Sequence, residues 1–152
     1  RRLLERYPQF EFSISATSRA PRGQERDGVD YYFLSHGEFM QAVAENRFVE
    51  WEEVYKGTCY GTLRSEVERI WAKGHVIVFD VDVVGGINLK RIFGDDACSV
   101  FIMPPSVEEL RRVAKAEFEL TKAPEFDHVV VNDCLDEAVC GTCSILDQFI
   151  AR

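Results

Sequence analysis

"HVIVFDVD", residues 75–82, decides the fold. Val76, Ile77, Val78 and Phe79 follow one another without polar alternation, and two aspartates, Asp80 and Asp82, close the run. A strand covered on both faces reads this way, and such strands belong to parallel sheets. Working toward the C-terminus, "GGINLKRIF" (85–93) reads as a helix and "CSVFIMPP" (98–105) as a second buried run. Ser106 then opens a helix, with Glu108 and Glu109 in its first turn as a capping arrangement. "HVVVND" (128–133) is a third buried run, and a last helix reaches the C-terminus. Strands alternating with helices predict an α/β fold built on a parallel sheet.

The N-terminal half has a different texture. "RRLLERY" (1–7) reads as the tail of an amphipathic helix, and "FEFSIS" (10–15) as a strand. "SRAPRGQERDGVDYYF" (18–33) carries three arginines and three acids with no helical or strand period. So charged a loop suggests an anion to be held. "YYFLS" (31–35) is a short strand, and residues 36–46 form a helix with Phe39, Met40, Val43 and Ala44 on one face. In "FVEWEEVY" (48–55), Phe48, Glu50 and Glu52 alternate with Val49, Trp51 and Glu53, so one strand face carries carboxylates. "YKGTCYGT" (55–62) is a glycine-bearing turn, and residues 63–73 return to helix. The short alternating strands mark an inserted subdomain at approximately 18–62, within a core of 1–17 and 63–152.

Bulk properties narrow the function classes. The chain has 152 residues, 46% apolar and 29% charged, which suits one soluble globular domain. A net charge of −8 leaves no basic excess for a nucleic-acid backbone, so any anion must be caught locally by a few arginines. No apolar run approaches membrane-spanning length. Five scattered cysteines, an odd number, predict reduced thiols and a cytoplasmic location. Cys140 and Cys143 form a CxxC without a second CxxC or a histidine pair, and His36, His75 and His128 are far apart, so two small residues on a helix is the favoured reading. The sequence leaves the oligomeric state open.

Five stretches in order resemble the guanylate kinases, which move a phosphoryl group from ATP to GMP: "SISATSRAPRGQERDGVDYYF", "FVEWEEVYKGTCYGT", "VIVFDVDVVGG", "FIMPPSVEELRR" and "VVVNDCLDEA". The resemblance implies a P-loop kinase fold whose inserted subdomain binds GMP. It implies that Arg19 and Arg22 clamp the acceptor phosphate, since a planar guanidinium fork matches phosphate oxygens. Outside that context, both would read as solvated loop charges. Tyr31 and Tyr60 match the tyrosines whose hydroxyls reach the same phosphate. Glu50 matches the carboxylate that accepts from guanine N1–H and the N2 amino group, with an exposed strand carboxylate as the alternative. Adenine lacks the N1 donor and would leave such a buried carboxylate under-satisfied. Ser15 and Thr62, with Gly61 beside it, match positions on the far side of the base, while Glu52 and Glu53 have no match and read as solvated.

Asp80 resembles the acid that orients Mg²⁺-bound water, with no direct metal ligand implied, and Asp82 one that contacts GMP. At i and i+2 of a strand both would face one cleft, although Asp82 also reads as a cap for the following helix. Gly85 and Gly86 would admit a close ligand. Arg19, Arg22 and Asp80 are the implied catalytic groups, and ATP with Mg²⁺ the implied donor, with Arg112 and Asn132 as candidates on the ATP side. Two family features are missing from these residues: a GxxxxGK[ST] phosphate loop, and an arginine-bearing lid expected near a seam at 111–113. The expectation is that the 152 residues are the ordered portion of a longer polypeptide. The alternative class is an inactive guanylate-kinase-like module that binds proteins.

Overall fold

The computed structural model describes residues 2–106 and 114–152. The capped helix expected from Ser106 through Glu109, the seam at 111–113 and Arg112 lie outside the described residues beyond Ser106 itself. The chain divides into two compact units, residues 4–85 and residues 86–152 with the first three.

Helix α1 (Arg2–Arg6), which passes into the first unit at Leu4, leads into strand β1 (Phe10–Phe12). This strand pairs in parallel with β6 (Val76–Val78), Phe10 opposite Val76 and Phe12 opposite Val78. The deciding run is therefore a parallel strand, but it is not buried on both faces. Val76 is 41% exposed and the strand ends at Val78. Among the described residues β1 is its one strand partner, and a three-residue ladder covers little of either face.

The second sheet of this unit has four strands in the order β3-β2-β5-β4: β2 (Ala16–Thr17), β3 (Tyr32–Phe33), β4 (Phe48–Tyr55) and β5 (Thr58–Leu63). Only the β2–β3 pair is parallel. Helix α2 (His36–Ala44) covers one face of the sheet, and its start is fixed by a capping box between Ser35 and Glu38. Phe39 is fully buried and stacks on Phe48 with ring centroids 4.5 Å apart, in a core with Ala16, Ala42, Cys59 and Leu63. The expected apolar face of α2 needs correction. Phe39, Ala42 and Val43 face the core, whereas Met40 and Ala44 are exposed. Helix α3 (Arg64–Trp71) follows β5 directly and buries Val67 and Ile70.

The alternation expected along β4 is broken by a β-bulge. Phe48 lies opposite Leu63 but Glu50 lies opposite Thr62, so two residues of β4 match one of β5. Phe48 therefore points to α2, and so does Trp51, whose ring meets Phe39 edge-on at 6.2 Å. Glu50 and Glu52 turn to the opposite face. An unbroken period of two would have put Phe48 and Glu50 side by side.

In the second unit, helix α4 (Val83–Phe93), which begins in the first, precedes β7 (Val100–Met103). Strand β7 pairs in parallel with β8 (His128–Val131), from Val100 opposite His128 to Met103 opposite Val131. Among the described residues, helices α5 (Ala114–Lys122) and α6 (Leu135–Ile150) belong to this unit as well. Asp127 sits just before β8 and ties its start to the residue before β7: it accepts from the Ser99 amide at 2.8 Å and pairs with Lys90 at 3.0 Å. Phe101 and Val130 are buried, but Ile102, Val129 and Val131 are about half exposed, so these two runs are also covered on one face only. The three apolar runs do not share a ladder among the described residues; β6 pairs with β1, and β7 with β8. On α6, Cys140 is exposed and Cys143 buried, so the CxxC pair is divided between outer and inner positions. No helix among the described residues is long and apolar enough to cross a membrane.

Candidate active site

The face of the four-stranded sheet opposite α2 carries the polar residues that the sequence singled out. Along β5, Tyr60 and Thr62 share this face, two residues apart, and Glu52 and Glu50 stand opposite them on β4. Gly61 between them is required by packing. A Cβ there would come within 2.8 Å of the Glu50 carbonyl oxygen, the Phe48 ring and Trp51 Cβ. Its absence lets β5 lie tightly on the bulged part of β4.

Glu50 is 8% exposed, so it is not the exposed strand carboxylate of the alternative reading. The buried Thr62 hydroxyl donates to its Oε1 at 2.9 Å. Burial raises its pKa above the ordinary 4.5, and the neighbouring charges of Asp82 and Glu52 add to the rise, against the hydrogen bond from Thr62. Glu52, expected to be solvated, is half-buried on the same face; Glu53 is exposed and accepts the Gly57 amide across the β4–β5 turn at 2.6 Å.

Asp82 is not on a strand. It lies in the connection from β6 to α4 and accepts the Gly85 amide at 2.8 Å, the bond of a helix cap. A Cβ on Gly85 would lie 3.3 Å from both Asp82 Oδ1 and Glu50 Oε2, so the two carboxylates flank this glycine. Asp80 is exposed in the same connection. The shared strand face expected for Asp80 and Asp82 does not exist, because β6 stops two residues before Asp80.

Arg19 follows β2, whose Thr17 lies opposite Tyr60. Its Nε donates to the Tyr60 hydroxyl at 3.1 Å, and its guanidinium carbon sits 4.9 Å from the centre of the Tyr31 ring and 5.7 Å from that of Phe33. Tyr31 also meets Tyr60 edge-on at 6.1 Å. Arg19 is thus held against aromatic faces, not solvated. Glu25, which the sequence reading passed over, binds it end-on: Nη1 to Oε2 at 2.7 Å and Nη2 to Oε1 at 2.8 Å. That bond to Arg19, and then the Arg22 amide, hold the Glu25 carboxyl at about 2, below the ordinary 4.5, while Glu25 raises Arg19 further above its already high value. An acid three residues after Arg22 in an aperiodic loop was the available signal. Arg22 itself is exposed, and its backbone amide donates to Glu25 Oε2 at 2.7 Å.

Ser15 is half-buried, and its carbonyl accepts the Tyr32 amide at 2.9 Å, which places it at the start of the β2–β3 pair. Asn132 is exposed just beyond β8, in the second unit, its amide bonded to the Met103 carbonyl at 2.7 Å. The structure thus brings Arg19, Tyr31, Tyr60, Glu50, Gly61, Thr62 and Asp82 together within one unit.

Parallel strand pairs, helices and a mixed four-stranded sheet make this an α/β protein, and its likeness to a solved guanylate kinase puts it in the P-loop kinase class. Residues 1–150 match the guanylate kinase family, and the chain belongs to it. It is 47% identical to a guanylate kinase of Bacteroides thetaiotaomicron, over 99% of this chain and 81% of the relative. It is 48% identical to one of Porphyromonas gingivalis, over 100% of this chain and 89% of the relative. A crystal structure of guanylate kinase from Anaplasma phagocytophilum superposes with a TM-score of 0.84 at 35% identity, covering 97% of this chain and 78% of that one.

Proposed function

We propose that the protein is an ATP:GMP phosphotransferase and that the polar face of the four-stranded sheet is its GMP site. The observation that carries this reading is the spacing of two opposite subsites on one face. The Glu50–Thr62 pair and the Arg19–Tyr60 pair sit two residues apart along β5, about 7 Å. That is short enough for one nucleotide to touch both. Glu50 would accept from guanine N1–H and N2–H, and its nearly complete burial makes an unmatched base costly. Thr62 donates to Glu50 and keeps acceptor lone pairs for the N2 amino group, while Asp82 and Ser15 complete the base side. Arg19, Arg22, Tyr31 and Tyr60 would hold the phosphate.

The chemistry required of the chain is positioning. With the acceptor phosphate fixed by guanidinium and hydroxyl donors, one of its oxygens is oriented for attack on the donor γ-phosphorus, and the same cations offset the charge of the transferring group. Among the described residues no group of three His, Cys, Asp or Glu side chains could hold a metal ion. Mg²⁺ carried on nucleotide phosphates keeps most of its waters and needs few protein ligands, so the exposed Asp80 suits contact with one such water. Mg²⁺ would supply charge neutralisation on the donor. Asn132 and Arg112 are proposed for the ATP side. The P. gingivalis alignment runs over 168 positions for a chain of 152 residues, which supports an internal segment of the relative, such as a lid, without counterpart here. We assign the approximate insertion 18–62 to GMP binding, the seam to 111–113, and the protein to the cytoplasm. No observation favours the protein-binding module.

The test is ATP-dependent turnover with GMP and with AMP, measured as ADP release. GMP-dependent ADP formation, with AMP far poorer, is expected. Equal turnover of both, or none with GMP, overturns the reading.

A further inference from the structure

Arg19 has two edges that can grip an anion, and they have different partners. The Nη1–Nη2 end is taken by the Glu25 carboxylate through the two bonds of 2.7 and 2.8 Å. Nη1 also donates to the Ala20 carbonyl at 3.0 Å. The Nε–Nη2 edge meets, on Nε, an uncharged partner, the Tyr60 hydroxyl at 3.1 Å. A guanidinium has five N–H donors in one rigid plane, so fixing one end fixes where the other edge points. The ring of Tyr31 under the plane removes the remaining rotation.

We propose that Glu25 is a positioning residue for the acceptor phosphate: it holds the far end of Arg19 so that the second Nη2–H and the Tyr60 hydroxyl, which accepts from Nε and keeps its own O–H to donate, face the incoming phosphate together. The proposal rests on the reading of Arg19 as the phosphate clamp. Glu25 is not a stand-in anion waiting to be displaced. Its Oε2 also accepts the Arg22 amide at 2.7 Å, and its own amide donates to the Arg22 carbonyl at 3.1 Å. These reciprocal bonds close a turn, so a phosphate that evicted Glu25 would have to undo that turn. Keeping Glu25 in place leaves the turn intact and still presents a charged N–H beside the Tyr60 hydroxyl. Ordering a long arginine side chain in advance also removes an entropy cost from the binding step.

Binding of GMP and of guanosine, measured by calorimetry on the wild type, Glu25→Gln and Glu25→Asp, separates the possibilities. A glutamine turns one of the two acceptors into a donor facing a donor. Glu25→Gln is expected to weaken GMP by about tenfold or more while guanosine affinity stays unchanged. Glu25→Asp, which keeps the charge on a shorter stem, is expected to lose less and so rescue part of the GMP-to-guanosine ratio. An unchanged ratio in Glu25→Gln overturns the positioning role, as does tighter GMP binding, which would make Glu25 a competitor. Equal loss of both ligands marks a purely structural role and overturns it too. A wild type that binds GMP no better than guanosine refutes the clamp itself, and the proposal with it.

Discussion

Replacing Glu50 by glutamine should move ligand affinity and protein stability in opposite directions. The carboxylate is 8% exposed, its Oε1 is bonded to Thr62 and its Oε2 lies beside Gly85. If guanine N1–H and N2–H both donate to it, glutamine keeps one acceptor and sets an amide N–H₂ against a donor. The expected loss is about 1–3 kcal/mol, roughly 5- to 150-fold in Kd for GMP, with AMP scarcely affected. Stability should behave otherwise. Glu50 has its pKa raised above 4.5 chiefly by burial, so the folded state holds that proton more tightly than the unfolded chain. Stability is then favoured below the folded value and falls as pH rises from 4.5 through it. The neutral amide removes this loss, and with Oε1 still facing Thr62 its N–H₂ group would turn toward the Asp82 side of Gly85. Above the Glu50 pKa the variant should therefore melt at the same temperature as the wild type or higher.

The ligand side has its own pH signature. GMP needs the ionised carboxylate, so wild-type affinity should rise with pH through the raised pKa, whereas Glu50→Gln should lack that rise. Calorimetry with GMP and AMP, and thermal unfolding at matched pH values, provide both readouts. A variant that binds GMP as tightly as the wild type would refute the base-reading role. One that melts lower at pH 8 would show that the carboxylate stabilises the fold, contrary to the burial argument.

Arg22→Lys keeps the charge and the backbone amide that Glu25 accepts, but removes the fork. GMP affinity should fall by about 1 kcal/mol with guanosine unchanged, and an unaltered ratio of the two would show that Arg22 does not touch phosphate. Gly61→Ala forces a methyl group to within 2.8 Å of backbone and side-chain atoms of β4 and should cost about 1–3 kcal/mol in denaturant unfolding, while wild-type stability would show that β5 moves away freely. Glu11 is held at about 2, below 4.5, by hydrogen bonds from Arg69, Lys73 and His75. Its stabilisation is present above 4.5 and lost as pH falls toward 2, so the melting curves of wild type and Glu11→Gln should converge over that window. A constant gap would rule out those ion pairs.

What the sequence disclosed depended on the range of the interactions involved. Helix positions follow from local periodicity, so α2 was legible through the spacing of Phe39 and Val43, although Ser35, which caps it, reads in the sequence as the end of a strand. Runs such as Val76–Val78 declare parallel strands, but their burial is set by the elements that pair with them, which composition does not specify. The bulge at Val49 escaped because alternation assumes one residue per rung, and the extra residue is forced by how Phe48 and Glu50 must each find a different face. Asp80 and Asp82 were placed on a strand because the apolar run continues through Phe79, although pairing with β1 ends at Val78. Arg19 and Glu50 were found through resemblance; Glu25 makes its contacts across a loop with no period, where spacing carries little information.

The bulge and the Arg19–Glu25 pair address one physical difficulty. A chain of net charge −8 repels a nucleotide phosphate at long range, and a buried acid next to the site adds to that repulsion. Placing Glu50 on the polar face by a bulge separates it from the apolar core while keeping it two residues along from the cationic subsite. Stacking Arg19 on Tyr31 then keeps the single well-buried guanidinium of this loop at a fixed place, with side-chain exposure of 10%. At that depth screening by salt is weak, so the local attraction outweighs the distant net charge. The GMP affinity of this protein should accordingly depend only modestly on ionic strength, although its substrate and its surface carry charge of the same sign. A steep loss of affinity between low and physiological salt would show that the exposed Arg22, more than Arg19, carries the phosphate contact.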